Sequence, residues 1–172
     1  GFIQTTPIQL CLMTAQIANG GYKIYPKIVS NNDQQQEDKF TPLYKKSKNI
    51  QIIQNAMFSS TNEIRGTSYR SRIDDPKYQF AGKTGTAQVK RISKRERELD
   101  LKLDQIPYND RDHALYVAYG PYKNPRYALS IIVEHGGSGS KTAAPMAKEL
   151  FKLIIDRDES RKKQSNFEKI NI

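Results

Sequence analysis

The sequence is short of several features that define whole protein classes. Its single cysteine, Cys11, cannot form an internal disulfide framework. No apolar run approaches the roughly 18–20 residues that a membrane-spanning helix needs. The chain also lacks the metal-ligand spacing of a zinc site, because its two histidines, His113 and His135, stand apart from that cysteine. We therefore expect no disulfide-stapled fold, no membrane-spanning helix, no metal site and no cofactor.

Acidic residues are the minority, with 18 Asp and Glu against 28 Lys and Arg, and the formal net charge is +10. Such a balance permits nucleic acid, an anionic membrane surface or an acidic polymer as a partner. The basic residues are scattered among acidic ones, as in residues 90–104, and form no continuous stripe. A solvated, mixed-charge surface is the favoured interpretation, and a basic nucleic-acid-binding domain is the weakest of the functional hypotheses.

The apolar fraction, 37% of 172 residues, is sufficient for a real core. A first helix is predicted from Pro7, after the hydroxyl-bearing Thr5 and Thr6, to Asn19 before two glycines. This helix is apolar almost all round, which is typical of a helix inside a larger body. Residues 22–29 are predicted to form an edge or irregular strand, and residues 48–60 a second helix.

Three strands are predicted in the second half, over residues 80–89, 114–119 and 127–134. A charged excursion over residues 90–112 separates the first two, and a short turn over residues 120–125 joins the last two. A final helix is predicted from about Thr142, followed by a charged, disordered tail over residues 158–172. The fold class is α+β, with three antiparallel strands, helices before them and a closing C-terminal helix.

The chemically informative segment is the octapeptide AGKTGTAQ at residues 81–88. On a strand, the Lys83 ammonium supplies positive potential, and threonine hydroxyls can bind a carboxylate. Gly85 has no side chain, so a ligand can lie against the strand backbone. Backbone N–H groups beyond it can donate to a developing oxyanion. Although three residues alone are a weak signal, two glycines inside a predicted strand strengthen the prediction of a binding site.

This segment resembles the Lys-Thr-Gly motif of penicillin-binding proteins and serine β-lactamases. Residues 1–9 resemble the family segment that opens a buried helix, and residues 81–89 the motif strand. Residues 111–118 and 127–137 are similar to the two following strands, and Ala143-Ala144-Pro145 to the start of the closing helix. The chain is identified as the C-terminal part, residues 1–157, of a class B penicillin-binding protein transpeptidase domain, closer to the elongation branch than to the division branch.

The resemblance implies a serine-type peptidoglycan D,D-transpeptidase of the β-lactamase/transpeptidase-like fold, facing the periplasm from the bacterial inner membrane. Lys83 and Thr86 are the expected catalytic residues, and Lys83, Thr84, Gly85 and Thr86 the expected substrate-binding residues. The implied partners are peptidoglycan stem peptides, penicillin and other β-lactams, and a membrane glycan polymerase of the elongation machinery. No nucleic acid is expected.

The family's nucleophilic serine and its lysine are not expected in this chain. Matches to S-x-x-K occur at residues 138–141 and 160–163, but both follow the Lys-Thr-Gly strand, which reverses the family order. Matches to S-x-N occur at residues 30–32 and 47–49, much too close to Lys83. All four are interpreted as coincidence. The alternative hypothesis is a non-catalytic remnant that binds a peptide or a partner protein.

Overall fold

The computed structural model describes residues 4–28, 41–43, 47–90 and 101–170, with backbone only for Ser47 and residues 161–170. The three strands lie between two preceding helices and one following helix, which confirms the predicted α+β class. The elements are α1 (Pro7–Ala18), α2 (Ser47–Asn62), β1 (Ala81–Ala87), β2 (His113–Gly120), β3 (Tyr127–Val133) and α3 (Ala144–Ile170).

The sheet has the order β1-β2-β3, and both pairings are antiparallel. A short turn joins β2 to β3, as the sequence predicted, whereas β1 and β2 are separated by the charged excursion. Within the described residues of this excursion the backbone forms two short 3-10 turns, Leu103–Gln105 and Tyr108–Asp110. Among the described strands β1 pairs only with β2, so its other edge is open.

One face of the sheet packs against α3 through small residues. Ala144 and Ala147 of α3, and Ala143 just before this helix, are fully buried against the middle of β2. Small side chains let the helix approach the sheet closely, and aromatic rings then fill the space beside the contact. Phe151 stacks on Phe80 with ring centroids 4.9 Å apart. This cluster is the main hydrophobic core of the described chain.

The opposite face carries α1 and α2. Met57 of α2 is buried against Tyr119 of β2 in a second, smaller core. The Cys11 thiol of α1 donates to the carbonyl oxygen of Ala128 at 3.4 Å, and partial burial raises the pKa of this thiol. Cys11 is half-buried at this contact.

The ends of α1 follow the predicted signals. Thr6 Oγ1 accepts a hydrogen bond from the Gln9 N–H, and the Gln9 side chain accepts one from the Thr6 N–H at 2.8 Å. This reciprocal cap satisfies two of the backbone donors that a helix start leaves open. Gly20 and Gly21 both have φ of 90°, a conformation that glycine adopts without steric cost.

Burial along α1 differs from the expectation of a fully interior helix. Thr14 is the one fully buried residue of α1, whereas Ile8 is 63% exposed and Met13 is 43% exposed. The sheet covers one side of α1 and leaves another side open. The apolar pattern of this helix therefore exceeds what the described part of the chain buries.

Two predicted segments differ from the structure. Residues 22–29 were predicted as a strand, but the described part forms only an isolated bridge between Tyr22 and Pro42, and Val29 lies outside the described residues. Proline at position 26 removes a backbone donor, which disfavours a ladder. The predicted disordered tail is helical as far as Ile170. Its Arg, Lys, Gln and Glu residues are good helix formers, and neither glycine nor proline interrupts them.

We predict that Phe151→Ala lowers the free energy of unfolding of the full-length protein by about 3–5 kcal/mol, because it leaves a cavity beside Phe80. Leu153→Ala is the matched control on the same helix, since Leu153 is 66% exposed. Denaturant unfolding of both variants measures the difference. Equal stability of the two variants would contradict the assignment of Phe151 to the core.

Candidate active site

The four predicted site residues lie together on β1, and alternation along the strand divides them between its two faces. Lys83 lies directly opposite Val117 of β2, on the face that carries α1 and α2. Thr84 lies opposite Tyr116, on the face that packs against α3. Gly85 shares the face of Lys83, and Thr86 the face of Thr84. The strand therefore presents a cation on one face and two hydroxyls on the other.

Lys83 is exposed and lies at the wall of a cavity of about 680 Å³. Its Nζ donates to the carbonyl oxygen of Thr84 at 2.7 Å. Met13 and Ile17 of α1, Ile53 and Met57 of α2, and Val117 of β2 line the apolar part of this cavity. A positive charge beside an apolar recess is screened less than one in open water, so it attracts an anionic ligand more strongly.

The two glycine positions of the motif strand differ in how much room they leave for a side chain. A Cβ atom at Gly82 would lie 2.3 Å from the hydroxyl oxygen of Tyr116. A Cβ atom at Gly85 would meet only the Cβ of Leu115, at 3.2 Å. Gly82 thus makes room for the core, whereas a methyl group at Gly85 would need only one neighbouring Cβ to shift by a few tenths of an ångström. The sequence pattern alone did not separate these two roles.

The start of the closing helix approaches the same strand. A five-residue π-helical turn, Gly139–Ala143, precedes α3. Gly139 is buried, and a Cβ atom there would lie 2.4 Å from the Leu115 carbonyl oxygen and 2.6 Å from the Gly85 carbonyl oxygen. Backbone packs directly on backbone at this point, so the turn fixes the position of the motif strand.

A buried group of hydroxyls lies on the core side of the motif strand. It was not predicted from the sequence. The Tyr116 hydroxyl is hydrogen-bonded to Thr61 Oγ1 at 2.9 Å and to Ser68 Oγ at 3.0 Å. Burial raises the pKa of Tyr116, and these two hydrogen bonds act in the opposite direction. Tyr116 therefore stays a neutral hydroxyl at neutral pH. Thr61 at the end of α2 and Ser68 in the following loop are both buried.

A second, exposed group of hydroxyls reaches the motif itself. Thr84 Oγ1 is 3.3 Å from Thr67 Oγ1, which is 3.2 Å from Ser60 Oγ. Both contacts are within hydrogen-bonding distance. The only signal in the sequence was the glycine at position 66, which marks a turn after α2 but gives no indication of what the turn approaches.

The S-x-x-K and S-x-N matches are placed as follows. The Ser138 hydroxyl accepts from the Lys141 N–H at 3.4 Å and contacts Ser140 Oγ, so it caps the turn before α3. Ser160 lies within α3 and donates to the Asp156 carbonyl oxygen. Ser47 begins α2, but its side chain, like residues 30–32, lies outside the described residues. Their interpretation as coincidence remains a prediction.

The two histidines contact each other beside the end of β3. The backbone N–H of His135 donates to His113 Nδ1 at 2.9 Å, and His135 Nδ1 lies 3.0 Å from the Arg111 carbonyl oxygen. His135 adopts a φ of 55°, which turns the chain toward Gly136. These contacts give both rings a structural role. Across the described ranges, no group of three His, Cys, Asp or Glu residues is suited to a metal ion.

The sequence of residues 1–152 matches the family model of the penicillin binding protein transpeptidase domain. The chain belongs to this family. It is 31% identical over 170 residues to the peptidoglycan D,D-transpeptidase MrdA of Salmonella typhimurium strain LT2, covering 91% of this chain and 26% of that protein. The MrdA protein of Escherichia coli K12 is 28% identical over 163 residues, with 91% and 24% covered.

The solved structures that share the fold include two PBP2 proteins. PBP2 of Helicobacter pylori, in its complex with MreC, matches with a TM-score of 0.66 at 32% identity, covering 87% of this chain and 25% of that one. PBP2 of Pseudomonas aeruginosa, in complex with WCK 5153, matches with a TM-score of 0.65 at 33% identity, covering 86% and 29%. Similarity to proteins of the PBP2/MrdA type confirms the predicted branch of the family. The chain spans about a quarter of the length of these relatives.

No helix in the described part of the chain combines the length and the apolar character that crossing a membrane requires.

The different roles of the two motif glycines can be tested by substitution in the full-length protein. We predict that Gly82→Ala lowers the free energy of unfolding by about 1–3 kcal/mol, because its methyl group would overlap the Tyr116 side chain. Gly85→Ala changes it by less than about 1 kcal/mol, yet slows acylation by penicillin, since the methyl group stands on the strand face that carries Lys83. Denaturant unfolding and acylation rates separate the two effects. Greater destabilisation by Gly85→Ala would contradict the assignment.

Proposed function

We propose that this chain supplies the Lys-Thr-Gly side of the active site of a peptidoglycan D,D-transpeptidase. The observation that carries the proposal is the placement of Lys83, Thr84 and Thr86 on an open-edged strand, with Lys83 at the wall of a cavity. Family membership and similarity to MrdA proteins support it. Because the chain spans about a quarter of those relatives, we assign the nucleophilic serine and its lysine to the remainder of the full-length protein.

In the proposed reaction that serine attacks the carbonyl carbon of the penultimate D-Ala of a stem peptide. A C–O ester bond forms, the C–N peptide bond breaks, and the terminal D-Ala leaves after its nitrogen takes up a proton. An amine from a neighbouring stem peptide then attacks the ester. A new peptide bond forms, and the serine hydroxyl is regenerated. No oxidant, reductant or cofactor is needed for this exchange.

Each motif residue has a part in this proposal. The Lys83 ammonium stabilises negative charge near the reacting serine, and Thr84 and Thr86 hold the terminal carboxylate of the donor peptide through their hydroxyls. The backbone N–H of Thr86 is one donor to the oxyanion that forms during attack. Gly85 lets the extended peptide lie close to the strand. A β-lactam carries a similarly placed carboxylate and amide, so it would enter the same site and stop at the acyl stage.

The relatives suggest the cellular setting. PBP2 of Helicobacter pylori was solved in a complex with MreC. We propose that the full-length protein likewise works at the bacterial inner membrane, with this domain facing the periplasm. Its partners there would be peptidoglycan stem peptides and a membrane glycan polymerase. These assignments follow from similarity to PBP2/MrdA proteins.

Intact-mass spectrometry after incubation with benzylpenicillin tests the function. We expect no adduct on this chain alone, and one penicilloyl adduct on a serine outside residues 1–172 when the full-length protein is used. A specific adduct on this chain alone would place the nucleophile here, with Ser138 as the first residue to examine. A folded full-length protein without any adduct would contradict the proposal and favour a non-catalytic remnant that binds a peptide or a partner.

Lys83→Ala in the full-length protein is expected to slow acylation by benzylpenicillin by about 10²–10³-fold, the effect of removing one electrostatic stabiliser from an acyl-transfer site. Lys123→Ala is the matched control, because Lys123 lies exposed in the turn between β2 and β3. Stopped-flow acylation measures both rates. Similar rates for the two variants would exclude Lys83 from the reaction.

A further inference from the structure

We infer that Thr67 is a positioning residue for Thr84, acting through a chain of hydroxyls that directs the Thr84 proton toward the substrate carboxylate. The inference rests on the proposed function and extends its site to a loop outside the Lys-Thr-Gly motif. This loop comprises residues 63–68, which directly follow α2. Its Thr67 side chain lines the same cavity as Lys83.

The loop is held in place by contacts on both sides of Thr67. On one side, a Cβ atom at Gly66 would lie 2.3 Å from the Ser60 carbonyl oxygen, so the backbone packs directly on the end of α2. On the other side, Ser68 is 1% exposed, and its N–H and hydroxyl both donate to the Ser60 carbonyl oxygen at 3.0 Å. Thr67 therefore extends from a fixed backbone.

Ser68 also connects this loop to the motif strand on the core side. Ser68 Oγ is hydrogen-bonded to the Tyr116 hydroxyl at 3.0 Å, and Tyr116 is the direct partner of Thr84 across the β1–β2 ladder. The position of Thr67 relative to Thr84 is thus fixed through the core. The resulting separation, 3.3 Å between the two Oγ1 atoms, is a hydrogen-bonding distance.

The number of available protons fixes the direction of donation along this series of hydroxyls. Each hydroxyl has one proton to donate. When Thr84 donates its proton to a carboxylate, its contact with Thr67 is a hydrogen bond only if Thr67 is the donor. Thr67 can in turn accept from Ser60 Oγ, which lies 3.2 Å away. With a carboxylate bound, the order of donation is Ser60 to Thr67 to Thr84 to ligand. Hydrogen bonds aligned in this way strengthen one another, and the bond to the charged group gains most.

The test compares acylation of the full-length protein by benzylpenicillin and by its methyl ester, which has no ionised carboxylate. For Thr67→Val, which keeps the shape but removes the hydroxyl, we expect acylation by the acid to slow about tenfold, the effect of one weakened hydrogen bond to a charged group. Acylation by the ester should change by less than about twofold. Thr67→Ser restores the hydroxyl and should recover most of the rate with the acid.

Two further variants complete the design. Thr5→Val replaces an exposed threonine ahead of α1 and should leave both rates unchanged. Ser60→Ala removes the first donor of the hydroxyl series. It should slow acylation by the acid but not by the ester, and the effect should be smaller than that of Thr67→Val. It also keeps the test decisive if Thr67→Val folds poorly, which thermal unfolding would reveal.

The outcomes separate the inference from the proposed function. Equal slowing of acid and ester in Thr67→Val, or no slowing of either, would overturn the role of Thr67 while the transpeptidase assignment stands. Failure of Thr67→Ser to recover the rate would also overturn it. If the folded wild-type protein is acylated by neither compound, the proposed function itself fails, and the role of Thr67 fails with it.

Discussion

The buried hydroxyl of Tyr116 is the constraint to which most of the site is tied. Hydrogen-bond partners stabilise a phenol in the core, because an unpaired buried hydroxyl costs free energy comparable to a lost hydrogen bond. Its partners, Thr61 and Ser68, come from the end of α2 and from the loop that follows. The same ring lies so close to β1 that position 82 has no room for a side chain. One residue of the central strand thereby fixes a helix, a loop and the motif strand relative to one another.

This arrangement explains how an exposed strand can hold a precise geometry. The open edge of β1 has no neighbour among the described strands, and an edge strand held only by its ladder would be the easiest part of the sheet to displace. Here Gly139 packs its backbone on Gly85 from the α3 side, and the loop around Ser68 holds the strand through Tyr116. Rigid support of this kind would lower the ordering cost of binding in the proposed function, because less conformational entropy is lost when the ligand binds to the strand.

Much of the fold was predictable from local signals. The hydroxyl-proline start and double-glycine end of α1, the three strand patterns and the small-residue start of α3 all follow from propensities that act over a few residues. The length of α3 beyond residue 158 was not predicted, because the absence of an apolar stripe was taken to indicate disorder. Good helix formers can continue a packed helix into solvent without such a stripe. The strand predicted at residues 22–29 did not form as a ladder in its described part, since pairing depends on a neighbour that the local sequence does not specify.

The sequence by itself determined the family, the α+β class and the strand that carries Lys83, Thr84, Gly85 and Thr86, because these depend on residue types in a fixed local order. Only the tertiary structure decided that the core leaves no room for a side chain at Gly82, and that the Oγ1 atoms of Thr67 and Thr84 lie 3.3 Å apart. The physical reason is the separation along the chain: the contacts between residues 60–68, 82–85, 115–116 and 139 form only when the helices and the sheet pack together, and no local pattern records their distances.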